Sequence, residues 1–400
     1  MFDEDFLVLE LAAILAGPTV GMFLAELGAR VIKVENPHTG GDATRGWKLS
    51  SEPAESSLSS YFVSANWGKE SIVIDLTTEA GLEVVHDLVR RADVVIASFK
   101  PGDDVRLKLD YESLRRHRPD LIYAQISAYG DADPRPGFDA ILQAESGFTY
   151  LNGEPDGPPT KMPVALVDIL LAHQLKEGVL LALLKRERSG EGSLVTASLL
   201  QCAVASLANQ ATNYLVGGVV PQRLGSEHPN IAPYGTILRC ADDRELVIAA
   251  ATERQYRGLM GALGLAAFAE EERFAIGQQR VIHRDALLDL IRPAAARLDS
   301  GELAAALLEA KVPFGFVNDM QAVFEQPQAE EAVLTGTREG RTLRAVRTAV
   351  FGGDAATLVE PAAPPALGEH QQTVLADLLG YSADRVGSLR AAGAFGDQPP

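Results

Sequence analysis

Apolar and polar positions along the chain keep two rhythms. Short apolar runs rich in Val and Ile recur: "FLVLE" at 6–10, "RVIKVE" at 30–35, "SIVIDL" at 71–76, "DVVIASF" at 93–99 and "LIYAQISAYG" at 121–130. Runs of this length and composition predict buried strands. Between them lie stretches with helical spacing: "LAGPTVGMFLAELGAR", with Pro18 at a first helical position, "EAGLEVVHDLVRRA" at 79–92, and the short "DYESLRRHRPD". Alternating strands and helices predict an α/β fold, a parallel sheet with helices on both faces. Ligands in such sheets bind at the carboxyl ends of the strands, here Glu35, Phe99 and Tyr129-Gly130. The first turn carries glycines but no GxGxxG, so it is only weakly like a dinucleotide site.

Further along, "RSGEG" reads as a turn, and "SLVTASLLQCAVASLANQATNYLVGG" as a strand running into a helix. The Pro- and Gly-rich "VVPQRLGSEHPNIAPYG" at 219–235 marks the crossing from a large domain, 1–218, into a second one. That domain opens with "TILRCADDRELVIAAA", a hairpin around Asp242-Asp243, and continues as Ala-rich helices to about residue 310. A loop or linker follows at 352–370, then two short helices.

"MPVALVDILLAHQLKEGVLLALL" poses the sharpest question. At 100° per residue, Leu171, Ala172, Leu175 and Val179 share a stripe with Asp168, while His173, Gln174, Lys176 and Glu177 fall opposite. A buried, unpaired carboxylate is costly. Two compatible readings remain open: Asp168 is the N-cap of a helix beginning at Ile169, or it has a functional role. The polar residues in the stretch exclude a transmembrane helix.

Composition narrows the classes. The 36 basic and 54 acidic residues leave a net charge of −18, which argues against general nucleic-acid binding. An anionic small ligand needs only a local cluster of Lys and Arg. Cys202 and Cys240 form no CxxC, the seven histidines show no metal-ligand spacing, and the N-terminus lacks a signal-peptide pattern. The expectation is a cytoplasmic protein without a metal or a membrane anchor.

Several stretches, in this order, resemble the class III CoA-transferase family (CaiB/BaiF), which includes formyl-CoA transferases and alpha-methylacyl-CoA racemases. They are "AGPTVGMFLAELGARVIKVENPHTGGDATRGW", "NWGKESIVIDL", "SFKPG", "PGFDAILQAESGF", "PVALVDILLAHQLKEGVLLALLKRERSGEG", "KVPFGFVNDMQAVFEQPQ" and "PALGEH". The resemblance implies a large Rossmann-like domain with a smaller α+β domain (219–325, with its linker), a C-terminal segment (326–400) returning to the large domain, and an interlocked homodimer. It implies transfer of CoA from an acyl-CoA donor to a free carboxylic acid, with CoA as substrate and no tightly bound cofactor. Asp168 falls at the family's catalytic aspartate, which forms anhydride and thioester intermediates, and Asp139 at a supporting acidic position. Lys69 and Arg106 fall at CoA-contacting positions, with Leu15, Ser98 and Phe99 lining the nucleotide. Asn36 stands where some members carry a CoA-binding arginine, for which Arg45 or Lys100 would compensate.

In "PGFDAILQ", Phe138 stands where the racemase branch has a histidine. Two-base racemisation needs two titratable groups, so Phe138 disfavours that activity. A loop that covers the aspartate in some members maps to "AAATERQYRGL" at 249–259, here without a glycine run. "RLGSEHPNIAPYG" resembles a stretch of members that use dicarboxylates, with Arg223, His228 and Tyr234 as candidates to face the acyl group.

Overall fold

The computed structural model describes residues 1–2, 5–130, 132–354 and 357–396. Six strands form one fully parallel sheet: β1 (Leu7–Leu11), β2 (Arg30–Glu35), β3 (Lys69–Val73), β4 (Val94–Ala97), β5 (Ile122–Ser127) and β6 (Ser193–Ser198). Their order is β3-β2-β1-β4-β5-β6, so the chain reverses direction of travel between β1 and β4. Val8 pairs with Val31 on one side and Val94 on the other, which sets the register at the sheet's centre. The β1 and β4 side chains are all buried, as expected for strands covered on both faces.

Two glycine-dependent contacts tighten the first βα unit. A Cβ at Gly21, in the helix Ala16–Glu26, would stand 2.0 Å from Glu10 Oε2. One at Gly17 would stand 2.5 Å from the Ala12 methyl. Pro18 is the third helical residue rather than the first, because the helix already begins at Ala16.

The chain divides into two compact units. One comprises 1–146, 163–207 and 331–400; the other comprises 147–162 and 208–330. The first contains the parallel sheet and the returning C-terminal segment, whose Val374, Leu375, Leu389 and Phe395 join the core around Ile72, Val85 and Leu88. The expected boundaries are 218/219 and 325/326, and the units divide at 207/208 and 330/331. The segment 147–162, expected in the large domain, goes with the second unit, where Thr160 N–H donates to the Thr149 and Asn152 carbonyls.

The second unit is built on an antiparallel sheet of β7 (Tyr234–Arg239), β8 (Glu245–Ala249) and β9 (Phe314–Phe316). Helices Glu253–Ala262, Arg284–Ala295 and Ser300–Glu309 pack on it through Leu259, Leu287, Ile291 and Leu303. The hairpin around Asp242-Asp243 is thus present as read from the pattern. A second hairpin, β10 (Val333–Arg338) and β11 (Arg341–Val346), was not anticipated. Its turn residues Glu339 and Gly340 both have positive φ, 51° and 68°, as a two-residue type I′ turn requires. No helix among the described residues is long and apolar enough to cross a membrane.

Candidate active site

Asp168 sits in the first turn of the long helix Leu166–Ser189. The stripe arithmetic holds: Asp168, Leu171, Ala172, Leu175 and Val179 are buried, and His173, Gln174 and Glu177 are exposed. Lys176 departs from it. Its side chain is buried, with the ammonium 4.9 Å from the Phe23 ring centre and donating to the Thr348 carbonyl at 3.3 Å.

The N-cap expectation for Asp168 is corrected. The helix begins at Leu166, and the residue at the cap position, Ala165, has no capping side chain. The cap comes instead from a different helix. Asp139 opens the helix Asp139–Glu145, and its Oδ1 accepts the Val167 N–H at 2.8 Å. Its Oδ2 accepts from Gln143 Nε2 at 2.8 Å, and the same amide nitrogen reaches the Val164 carbonyl at 3.2 Å. Asp139 therefore meets an unpaired N–H of the Asp168 helix, a role that a local cap signal cannot reveal.

This arrangement leaves Asp168 exceptional. Only 9% of its surface is exposed, and no hydrogen bond or ion pair reaches its carboxylate among the described residues. Burial, then the neighbouring Asp139 charge, pushes its pKa up to about 7. Burial and the charges of Asp168, Asp139 and Asp42 also push the Tyr61 phenol upward. Tyr61 makes an edge contact with Trp47, ring centres 5.1 Å apart. Gln143 and Tyr61 were missed by sequence reasoning. Gln143 had a usable signal, lying four residues after Asp139 on one helix face; Tyr61 had none.

Two cavities open at the carboxyl ends of the strands. One, of about 320 Å³, lies at the β1/β4 reversal and is lined by Ala12, Ile14, Asn36, Asp42, Asp75 and Ser98, among others. Its neighbour, of about 350 Å³, is lined by Phe99, Lys100, Val105, Tyr111, Tyr123 and Gly130, among others. A reversal in strand order is where open α/β sheets hold ligands. Asn36, Ser98 and Phe99 thus stand on cavity walls, whereas Leu15, Lys69 and Arg106 line neither.

The candidate cations differ in what they are free to do. Lys69 was expected to meet CoA, but its ammonium is buried on Glu10, the Pro18 carbonyl and Asn66 Oδ1, leaving no donor for a phosphate. Arg45 is likewise committed, to Glu35 and the Pro365 carbonyl, so it does not substitute at Asn36. Asn36 itself accepts the His38 N–H at 2.9 Å and caps a short turn. Lys100 and Arg106 are exposed; Lys100 has no partner among the described residues, and Arg106 is paired with Asp103.

In the second unit, Arg223 donates to the Tyr150 carbonyl, and the His228 ring sits edge-on to Tyr234 at 5.2 Å. The segment 249–259, expected to hold a covering loop, is mostly helix. Thr252 and Gln255 cap each other there, which explains the missing glycine run. Phe138 is 59% exposed at the cap position of the Asp139 helix.

Comparison with known proteins follows the same outline. The family model for CoA-transferase family III matches residues 4–371. The chain is 40% identical over 380 residues to a succinate–glutarate CoA-transferase of Agrobacterium fabrum, covering 93% of this chain and 94% of that protein. It is 35% identical over 336 residues to a succinyl-CoA:mesaconate CoA-transferase of Haloarcula hispanica, covering 82% and 83%. A crystal structure of a CaiB/BaiF family protein from Brucella suis superposes with a TM-score of 0.80 at 38% identity, covering 94% of this chain and 98% of that one.

Proposed function

Because the chain belongs to CoA-transferase family III, and so moves CoA between an acyl-CoA and a free acid, we propose that Asp168 is its nucleophile. The ionised carboxylate attacks the thioester carbonyl of the donor. The C–S bond breaks, CoA leaves as thiolate, and a mixed anhydride remains on Asp168. The thiolate then attacks the Asp168 carbonyl carbon and expels the donor acid, leaving an aspartyl-CoA thioester. The acceptor carboxylate attacks that thioester, regenerating an anhydride and the thiolate. Attack of the thiolate on the acceptor's acyl carbon gives the new acyl-CoA and frees Asp168. No net proton is taken up.

The observation that carries this reading is the buried, unpartnered carboxylate of Asp168 in a helix's first turn. Poor solvation makes a carboxylate nucleophilic, and the positive helix end limits how far burial drives it to the neutral form. Asp139 acts as a positioning residue that holds the helix end by accepting from Val167. The relatives named above act on succinate, glutarate and mesaconate, which supports succinyl-CoA as donor and a short dicarboxylate as acceptor. Racemisation is disfavoured because Phe138 offers no second base. The exposed apolar run Tyr214, Leu215, Val216, Val219 and Val220 supports association with a second copy.

A screen of acyl-CoA donors against mono- and dicarboxylates tests the reaction class. Asp168→Ala is expected to lower transfer at least ~10⁴-fold, as loss of a covalent nucleophile does, while CoA binding stays within a few fold. Transfer that survives in this variant rules out Asp168 as the nucleophile.

A further inference from the structure

The outer edge of β3 is covered by the returning C-terminal segment, and a cavity of about 530 Å³ lies between them. Edge strands need their outward N–H groups met, and here side chains do it. Ser71 N–H donates to His370 Nδ1 at 3.2 Å, and Val73 N–H to Gln371 Oε1 at 2.7 Å. The second bond fixes the Gln371 amide, because a backbone N–H must meet the oxygen. Gln371 Nε2 is therefore turned away from the strand, buried and without a partner. An unmet buried donor is costly unless something accepts from it.

A second unmet donor shares the cavity. Arg390, in the last turn of the helix Ala383–Ala391, lines it, and its guanidinium makes no hydrogen bond or ion pair among the described residues. In a chain of net charge −18 a half-buried arginine without an acidic partner among the described residues is notable, and among those residues no carboxylate side chain lines this cavity. Asp87, which meets the Tyr381 hydroxyl of the wall, is already paired with Arg90. The remaining walls are largely apolar: Val73, Leu367, Leu375, Val386 and Phe395.

We propose that this cavity is a second ligand site that takes a small carboxylate with an apolar tail. Arg390 and Gln371 Nε2 receive the carboxylate, and the tail lies against Val73, Leu375, Val386 and Phe395. The site has donors without acceptors, apolar walls, and a volume within the range of small-molecule pockets. It shares no residue with the strand-end cavities or with Asp168 and Asp139.

Octanoate serves as the probe, titrated calorimetrically into the full-length protein. 1-Octanol carries a comparable tail without the charge, and glutarate carries charge at both ends. Octanoate is expected to bind saturably and to slow amide exchange across 367–395. Octanol and glutarate are expected to leave that segment's exchange unchanged at the same concentration. Arg390→Gln and Gln371→Glu should each weaken octanoate at least tenfold; the second keeps an acceptor for Val73 N–H and puts a like charge in place of the donor. CoA transfer by Arg390→Gln should equal that of the wild type. The proposal is overturned if octanoate shows no saturable binding by about 10 mM, if octanol protects 367–395 equally, or if neither variant changes the affinity. Should one variant melt early, the other and the octanol comparison still decide.

Discussion

Two buried carboxylates on neighbouring parts of one unit meet opposite fates. Glu10, at the centre of the parallel sheet, is held by Lys33 at 2.9 Å and Lys69 at 2.8 Å, with all three side chains almost wholly inaccessible. Asp42 adds a second contact to Lys33, and Glu35 pairs with Arg45, so three acidic and three basic groups balance below the β1/β4 cavity. Burial works against the Lys33 charge, but Glu10, Asp42 and Glu35 outweigh it and raise its pKa. Asp168 is also buried, at 9% exposure, and meets no cation among the described residues. The difference separates a charge used to build from a charge kept available. The paired network also steadies the loop after β1, since Asp42 accepts the N–H of Ile14, which is held at a φ of 74°.

Substitutions break this comparison in opposite directions. Glu10→Ala leaves Lys33 and Lys69 buried together without their shared anion, and should cost ~3–5 kcal/mol in urea unfolding. Asp168→Asn should stabilise the fold, by an amount that depends on pH. Asp168 titrates near 3.8 when unfolded and near 7 in the fold. Its contribution is therefore intact below about pH 4 and is lost as pH rises through about 7. The Asn variant should match the wild type near pH 4 and exceed it by on the order of 2–4 kcal/mol at pH 8. A variant no more stable than the wild type at pH 8 would show that Asp168 carries no such burden.

Asp139→Asn is expected to have the smallest effect. It keeps an oxygen for the Val167 N–H but removes the charge that helps raise Asp168. The acid limb of kcat/KM, expected near pH 7 in the wild type, should move to lower pH, with a modest loss of thermal stability because the Asn amide turns a donor toward Gln143 Nε2. A limb that stays in place would separate Asp139 from the Asp168 titration.

Much of the sheet was legible because strand and helix rhythms are local. The five leading strands follow from runs such as "DVVIASF", and the buried stripe of the 166–189 helix follows from its spacing, whereas the strand order and its reversal came only with the fold. What escaped was set by partners far apart in sequence. The cap of that helix comes from Asp139, 28 residues before the Val167 it meets. Lys69 stands as a CoA-contacting cation in the resemblance until the fold brings Glu10 beneath it, 59 residues away. Tyr61 enters the Asp168 field only through the fold. The β10–β11 hairpin was readable in principle from "REG", but Glu339 is an uncommon residue at positive φ.

The most direct measurement is chemical trapping at Asp168. The protein is incubated with succinyl-CoA, quenched with hydroxylamine or borohydride, and digested. Its peptides are then weighed beside those of a sample treated without the thioester. Modification confined to the peptide bearing Asp168, and absent from Asp168→Ala, is the expected result. An unmodified Asp168 peptide from a sample that is turning over, or a modification on another residue, would contradict the covalent role assigned to this carboxylate.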